Sequence, residues 1–305
     1  MEPPSPQRHE TGNTHQWIPA ACVLAGSILY SGKGLFGKAI LLSGASVADL
    51  MAMRTAWAAP FYLVVLVWFL RSRMPSGRDA LRLVAWGVLG FWLAPRLTFE
   101  GLGHTSAGLE RILIQTSPAW IVGLVWWTRG RRPTRTVVIA LVLCYAGLLL
   151  ACLGRDGVRA VADPTGVALI LCGCFLWSVF VVHVGPLQDR CGVGVTTSSG
   201  MLVAAVLSVG EAAWRGRLGA VAIPEAAVVP ALAGLVVFST VVPSFLTQGG
   251  LHRLGPVRTG LLSLAGPALV PVAAALFLGE RMSLPQIAGL AVVVLASVPL
   301  SLQKG

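Results

Sequence analysis

The sequence predicts an all-α integral membrane protein, ten transmembrane helices arranged as two inverted five-helix repeats. Three observations predict it. Hydrophobic residues make up 55% of the chain and charged residues only 11%, with a mean hydropathy of +0.78, whereas a soluble globular chain carries roughly 25% charged residues. Ten mostly apolar stretches follow one another with short connections, each near the length of about 20 residues that a bilayer-crossing helix needs. Finally, a shift of 149 residues lays the chain on itself in register, without a gap, from Trp17 to Gly305. Pro118-Ala119 then falls on Pro267-Ala268 and Gly101-Leu102 on Gly250-Leu251, which marks an internal duplication.

The elements follow in chain order. Residues 1–16 are polar, with Pro3, Pro4 and Pro6, and lack the pattern of a removable signal peptide; they read as a cytoplasmic tail. The first repeat covers 17–154. Its first span, 17–42, opens at Trp17, sets Ser27 and Ser31 one turn apart for close helix approach, and carries Lys33 and Lys38. The second, 48–70, holds Asp49, Arg54 and Pro60; the third, 82–103, holds Pro95, Arg96 and Glu100; the fourth, 106–128, holds Glu110, Arg111 and Pro118. The fifth, 136–154, follows a basic turn from Arg129 to Arg135. The second repeat, 165–302, has spans at 165–186, 195–214, 228–250, 256–278 and 284–302, with Gly200, Ala204 and Ser208 as a small-residue stripe and Pro243, Pro267 and Pro271 as kinks. Backbone breaks inside a membrane survive only where protein or water covers them. The third, fourth, eighth and ninth spans are therefore expected to surround a cavity.

The net charge of +11 invites a nucleic-acid reading until the charges are placed. With the N-terminus inside, 13 basic residues fall on the cytoplasmic side and five (Arg155, Arg159, Arg215, Arg217, Arg281) outside, as positive charge in short loops requires. Both termini are then cytoplasmic. Five spans per repeat is an odd number, so the second repeat enters the membrane from the opposite face, the geometric basis of alternating access.

Two five-helix units, a small-residue turn before the fourth helix of each (His104 to Arg111, and Leu254 to Arg258), a mid-helix proline, and the turn Gly279-Glu280-Arg281 together resemble the EamA-type drug/metabolite transporter superfamily. The first repeat departs from the pattern, with Arg131 where the second has Glu280. The resemblance implies a secondary carrier without cofactor or metal, an exporter or exchanger of a small metabolite, amino acid or drug-like solute. Protons or a counter-solute as the driving partner, and a homodimer, stay open. The basic content, 20 Arg against three Lys, with abundant Ala, Gly and Val, suggests a GC-rich genome and a bacterial plasma membrane.

Ionisable groups inside a bilayer need pairing or water. The first repeat holds Lys33, Lys38, Asp49, Arg54, Arg96, Glu100, Glu110 and Arg111 within its spans, while the positions 149 residues later (Val182, Leu187, Ser198, Val203, Phe245, Gly249, Thr259, Gly260) are all non-ionisable. Together they are expected to form a positive vestibule at the outer half, suited to an anionic or zwitterionic solute. Arg96 and Glu100 share a helix face and can pair, and Lys38 and Asp49 can snorkel; Arg54, Glu110 and Arg111 have no such escape. Glu100 and Glu110 are candidates for proton coupling. Tyr30, Trp57, Trp92, Gln115, Trp177 and Gln248 complete the candidate lining, because carrier sites lie near the midplane at the repeat interface. Trp17, Trp68, Trp86, Trp126, Trp127 and Trp214 read as interface anchors.

Cys172-Gly173-Cys174 lacks the spacing of a redox or zinc pair, and His183 and His252 read as hydrogen-bonded helix residues. Gly32-Lys33-Gly34 lacks the spacing of a nucleotide-binding loop, so no ATP motor is expected. The rival reading is an intramembrane lipid-handling enzyme, with Glu110 and His183 as acid and base, or a lipid-carrier flippase. A channel is disfavoured by the lack of a ring of like residues.

Overall fold

The computed structural model describes residues 17–71, 74–105, 107–130, 132–153, 163–222 and 224–264, with isolated positions at 266, 284, 287–289, 291–292 and 295. Arg131, Pro267, Pro271, the turn at Gly279-Glu280-Arg281 and most of the tenth span lie outside the described residues. Every described element is helical. Six are long and apolar enough to cross a membrane: Trp17–Leu42, Val47–Leu70 and Gly77–His104 in the first half, Pro164–His183, Val193–Trp214 and Val229–Leu254 in the second.

The expected single helix over 17–42 is two helices, α1 (Trp17–Tyr30) and α2 (Lys33–Leu42), separated by a turn at Ser31-Gly32. After α3 (Val47–Leu70), the third span runs as α4 (Gly77–Trp86), a π-helical segment (Gly87–Leu93) and α5 (Ala94–His104). The fourth is again broken, into α6 (Ala107–Ile114) and α7 (Ser117–Arg129), and α8 (Arg135–Leu153) closes the first half. The second half continues with α9 (Pro164–His183), α10 (Gly185–Cys191), α11 (Val193–Trp214), α12 (Leu218–Ala222), α13 (Val229–Val236), a π segment (Val237–Val241), α14 (Val242–Leu254) and α15 (Pro256–Ser263). The expected span 165–186 thus ends at His183 and turns into α10.

These interruptions have local causes, and the halves share them. Each π segment precedes a proline, Pro95 or Pro243, whose ring cannot accept the regular ladder behind it. Shifted by 149, Gly87–Leu93 overlies Val237–Val241, and the end of α6 at Ile114 overlies the end of α15 at Ser263. Starts are capped by side chains: Ser46 and Asp49 form a reciprocal box at α3, Ser76 caps α4, and Asp163 accepts the Thr165 amide at α9.

Helix pairing between the halves is reciprocal. α3 packs along its repeat mate α11, and α7 of the fourth span along α15 of the ninth; α5 packs along α9 and α1 along α14, two interfaces that exchange when the halves are exchanged. The same residue pair secures both of the latter. A Cβ on Gly101 would meet Ile170 at 2.5 Å and the Gly166 carbonyl at 2.6 Å, and one on its mate Gly250 would meet Val23. Lipid tails are as apolar as leucine, so close approach of this kind, with hydrogen bonds between helices, is what holds membrane helices together. Tyr62 supplies one such bond from the core of α3, sharing its hydroxyl with Ser244 at 2.8 Å and donating to the Thr240 carbonyl at 3.2 Å.

Candidate functional site

A cavity of about 230 Å³ lies where the halves meet. The third, fourth, eighth and ninth spans surround it as expected, and α1, α2, α3, α9 and α11 contribute too. Repeat-equivalent positions face it together: Thr98 with Thr247, Glu110 with Thr259, Ile114 with Ser263.

One region of the cavity is charged. Lys33 opens α2 directly after the Ser31-Gly32 turn, so the break places an ammonium at mid-span; its Nζ donates to Thr98 Oγ1 at 3.1 Å and lies 4.5 Å from the centre of the Phe99 ring. Arg54, 4% exposed, has its guanidinium carbon 5.5 Å from the same ring, and Nη2 reaches the Met51 sulfur at 3.7 Å. Among the described residues no carboxylate pairs with Arg54, and its Nε meets no partner. A buried cation held by a ring face and a thioether is costly unless something else completes its shell. Glu110, 2% exposed, supplies the carboxylate that lines the cavity among the described residues.

The uncharged candidates Tyr30, Gln115, Trp177 and Gln248 also line the cavity. The Gln115 carbonyl accepts the Tyr145 hydroxyl at 2.7 Å, Gln248 Oε1 accepts Gln188 Nε2 at 2.8 Å, and Trp177 meets Phe91 edge-on.

Four candidates lie elsewhere, and all but Trp92, whose Nε1 meets no hydrogen-bond partner among the described residues, are satisfied by other groups. Arg96 donates to Glu211 at 2.6 Å across to α11 and lies 3.4 Å from Glu100; Glu211 also holds Arg215 at 2.8 Å. Trp57 donates to the Val221 carbonyl at 3.2 Å. Trp92 is one residue off the face that presents Phe91, Ala94 and Thr98, and packs on the apolar core. The α6 backbone carries Arg111, whose side chain is outside the described residues. The single vestibule expected from the sequence is therefore divided. Lys38 caps the end of α5 through the Leu102 and Thr105 carbonyls at 3.0 and 2.9 Å, and Asp49 joins its capping box to Arg217 at 3.2 Å.

The remaining expectations separate similarly. His183 bonds the Val179 carbonyl and stacks on Trp86, and His252 lies 3.6 Å from Asp189. Trp17, Trp68, Trp126, Trp127 and Trp214 are exposed, as interface anchors are. At the junction of the halves His104 meets Asp163 at 3.0 Å; the Thr165 amide first, and His104 beside it, hold the Asp163 carboxyl below the usual range. The hydroxyls Thr98, Thr247 and Thr259 were missed by the sequence reading, although the coincidence of Thr98 and Thr247 under the 149-residue shift signals them.

A duplicated bundle of apolar helices around a buried charged cavity defines a multi-pass membrane transporter, and comparison with known proteins agrees. The EamA-like transporter family model matches residues 17–153 and again 164–302; the chain belongs to this family. A relative named Uncharacterized transporter YcbK, from Bacillus subtilis (strain 168), is 30% identical over 274 residues, covering 88% of this chain and 87% of that protein. The Threonine/homoserine exporter RhtA of Salmonella typhimurium (strain SL1344) is 28% identical over 300 residues, covering 92% and 90%. A solved structure, named only as Crystal structure of protein, shares the fold with a TM-score of 0.72 at 16% identity, over 94% of this chain and 98% of that one. Family and relatives are transporters rather than enzymes.

Proposed function

We propose that the chain carries a small zwitterionic amino acid across a bacterial plasma membrane, as an exporter or exchanger, by alternating access of two inverted five-helix repeats, 17–154 and 165–302, with both termini cytoplasmic. Arg54 carries the reading. Its buried guanidinium lacks a carboxylate partner among the described residues, and an α-carboxylate matches it in charge and planar geometry. Lys33 adds a second cation, and Glu110 suits the α-ammonium. The cavity, about 230 Å³, is smaller than the roughly 300–1,000 Å³ of sites for drug-sized ligands, which favours a small metabolite. The RhtA relative, named as a threonine/homoserine exporter, points the same way. The reciprocal pairing of helices between the halves supports an alternating-access frame.

Counterflow into proteoliposomes of the purified protein tests this, with labelled alanine, threonine, succinate and a quaternary-ammonium drug as the panel. Saturable exchange of the amino acids alone is expected. Exchange confined to the cationic drug would overturn the role of Arg54, and silence from monodisperse protein would favour the lipid-handling alternative. The same vesicles, with and without an imposed pH gradient, decide between protons and a counter-solute as the coupling partner.

A further inference from the structure

The cavity's polar lining falls into two kinds. Ser27, Ser31, Thr98, Thr247 and Ser263 each donate to a carbonyl of their own helix, three or four residues back, at 2.7 to 2.9 Å. Such hydroxyls are already spent on the backbone. Gln115 and Thr259 are not. They are 8% and 7% exposed, both line the cavity, and Gln115 Nε2 and Thr259 Oγ1 meet no hydrogen-bond partner among the described residues. Buried polar groups in native proteins are nearly always paired, and an orphan calls for a partner that arrives from elsewhere.

Their placement says which part of a solute they would meet. Gln115 follows the last residue of α6, at the break in the fourth span, and Thr259 lies on α15, which packs against α7 beyond that break. Both thus belong to the fourth and ninth spans, whereas Lys33 and Arg54 come from the first and second and converge on Phe99. Thr259 is also the repeat mate of Glu110, so the duplicated position offers a carboxylate from one half and an uncommitted hydroxyl from the other.

We propose that Gln115 and Thr259 read the solute's side chain, so that the cavity selects an amino acid carrying a side-chain hydrogen-bond acceptor over an aliphatic one of the same shape. This rests on the amino-acid reading above. An apolar pocket discriminates weakly between isosteres, but a site whose buried polar atoms await a partner rejects the analogue that leaves them unpaired.

Threonine and valine are isosteric and differ in the hydroxyl alone, which makes them the probes. Proteoliposomes of the wild type, Thr259→Val, Thr259→Ser and Gln115→Leu are assayed for counterflow of labelled threonine, valine and alanine. The wild type should exchange threonine with at least tenfold higher kcat/KM than valine. The ratio should fall below threefold in Thr259→Val and in Gln115→Leu, and recover in Thr259→Ser. Equal handling of threonine and valine by a wild type that exchanges alanine would overturn the inference and leave the amino-acid reading standing. A wild-type preference that survives both Thr259→Val and Gln115→Leu would overturn the assignment to these residues. No exchange of any of the three would remove the amino-acid reading itself and the inference with it.

Discussion

Arg54 and Arg96 are both arginines inside the first repeat, and their surroundings separate them. Arg96 has two carboxylates within 3.4 Å; Arg54 has a ring face and a sulfur. A paired guanidinium has its charge and donors satisfied at rest, whereas one held only by soft neighbours gains most when an anion arrives. Arg54→Gln is therefore expected to lower kcat/KM for amino-acid counterflow at least tenfold. Arg96→Gln should leave KM within twofold while lowering stability by about 1 kcal/mol or more, because the Arg96–Glu211 pair is largely buried and its loss leaves the Glu211 carboxylate with Arg215 alone, which a thermal melt in detergent would register. Equal losses of transport in both variants would contradict the division of the charges into cavity and frame.

At the scale of helices, the α5–α9 and α1–α14 contacts each close on glycines, among them the repeat-equivalent pair Gly101 and Gly250. Inserting a large side chain into a packed interface costs about 1–3 kcal/mol, and the two sites are equivalent in the duplication. Gly101→Leu and Gly250→Leu should lower the melting temperature by similar amounts, and a shift in one alone would show that the interfaces are unequal. Here the sequence was informative, because a glycine repeated at a 149-residue interval requires no knowledge of distance. Segment order, the prolines and the small-residue stripes were legible for the same reason: they depend on local chemistry. The breaks at Ser31-Gly32 and Gln115-Thr116 were not, since each is a run of only a few polar or small residues with apolar stretches resuming on both sides, and Pro118, two residues past the second, reads equally well as a mid-helix kink. The cavity was half legible. Charge inside an apolar span marked Lys33, Arg54 and Glu110. The same signal also marked Arg96, Glu100, Lys38 and Asp49, because a count of charges along one helix cannot see Glu211, Arg217 or the end of α5 waiting on a neighbour.

For the molecule as a whole, the proposed inverted arrangement makes a topological claim. In a background freed of native cysteines, Arg132→Cys and Leu218→Cys should react with a membrane-impermeant maleimide from opposite faces, position 132 from the cytoplasm and 218 from outside. Labelling of both from one side would contradict the orientation. The reciprocal helix pairing carries a different consequence. Because α1, α3, α5 and α7 each find their main partner in the other half, the chain behaves less like two domains in tandem than like a heterodimer that happens to be joined. Covalent continuity between 153 and 164 should then be dispensable. Two separate polypeptides, cut there and co-expressed, should assemble into a working carrier, while either one alone, its α5 or α9 seam bared to lipid, should be cleared from the membrane.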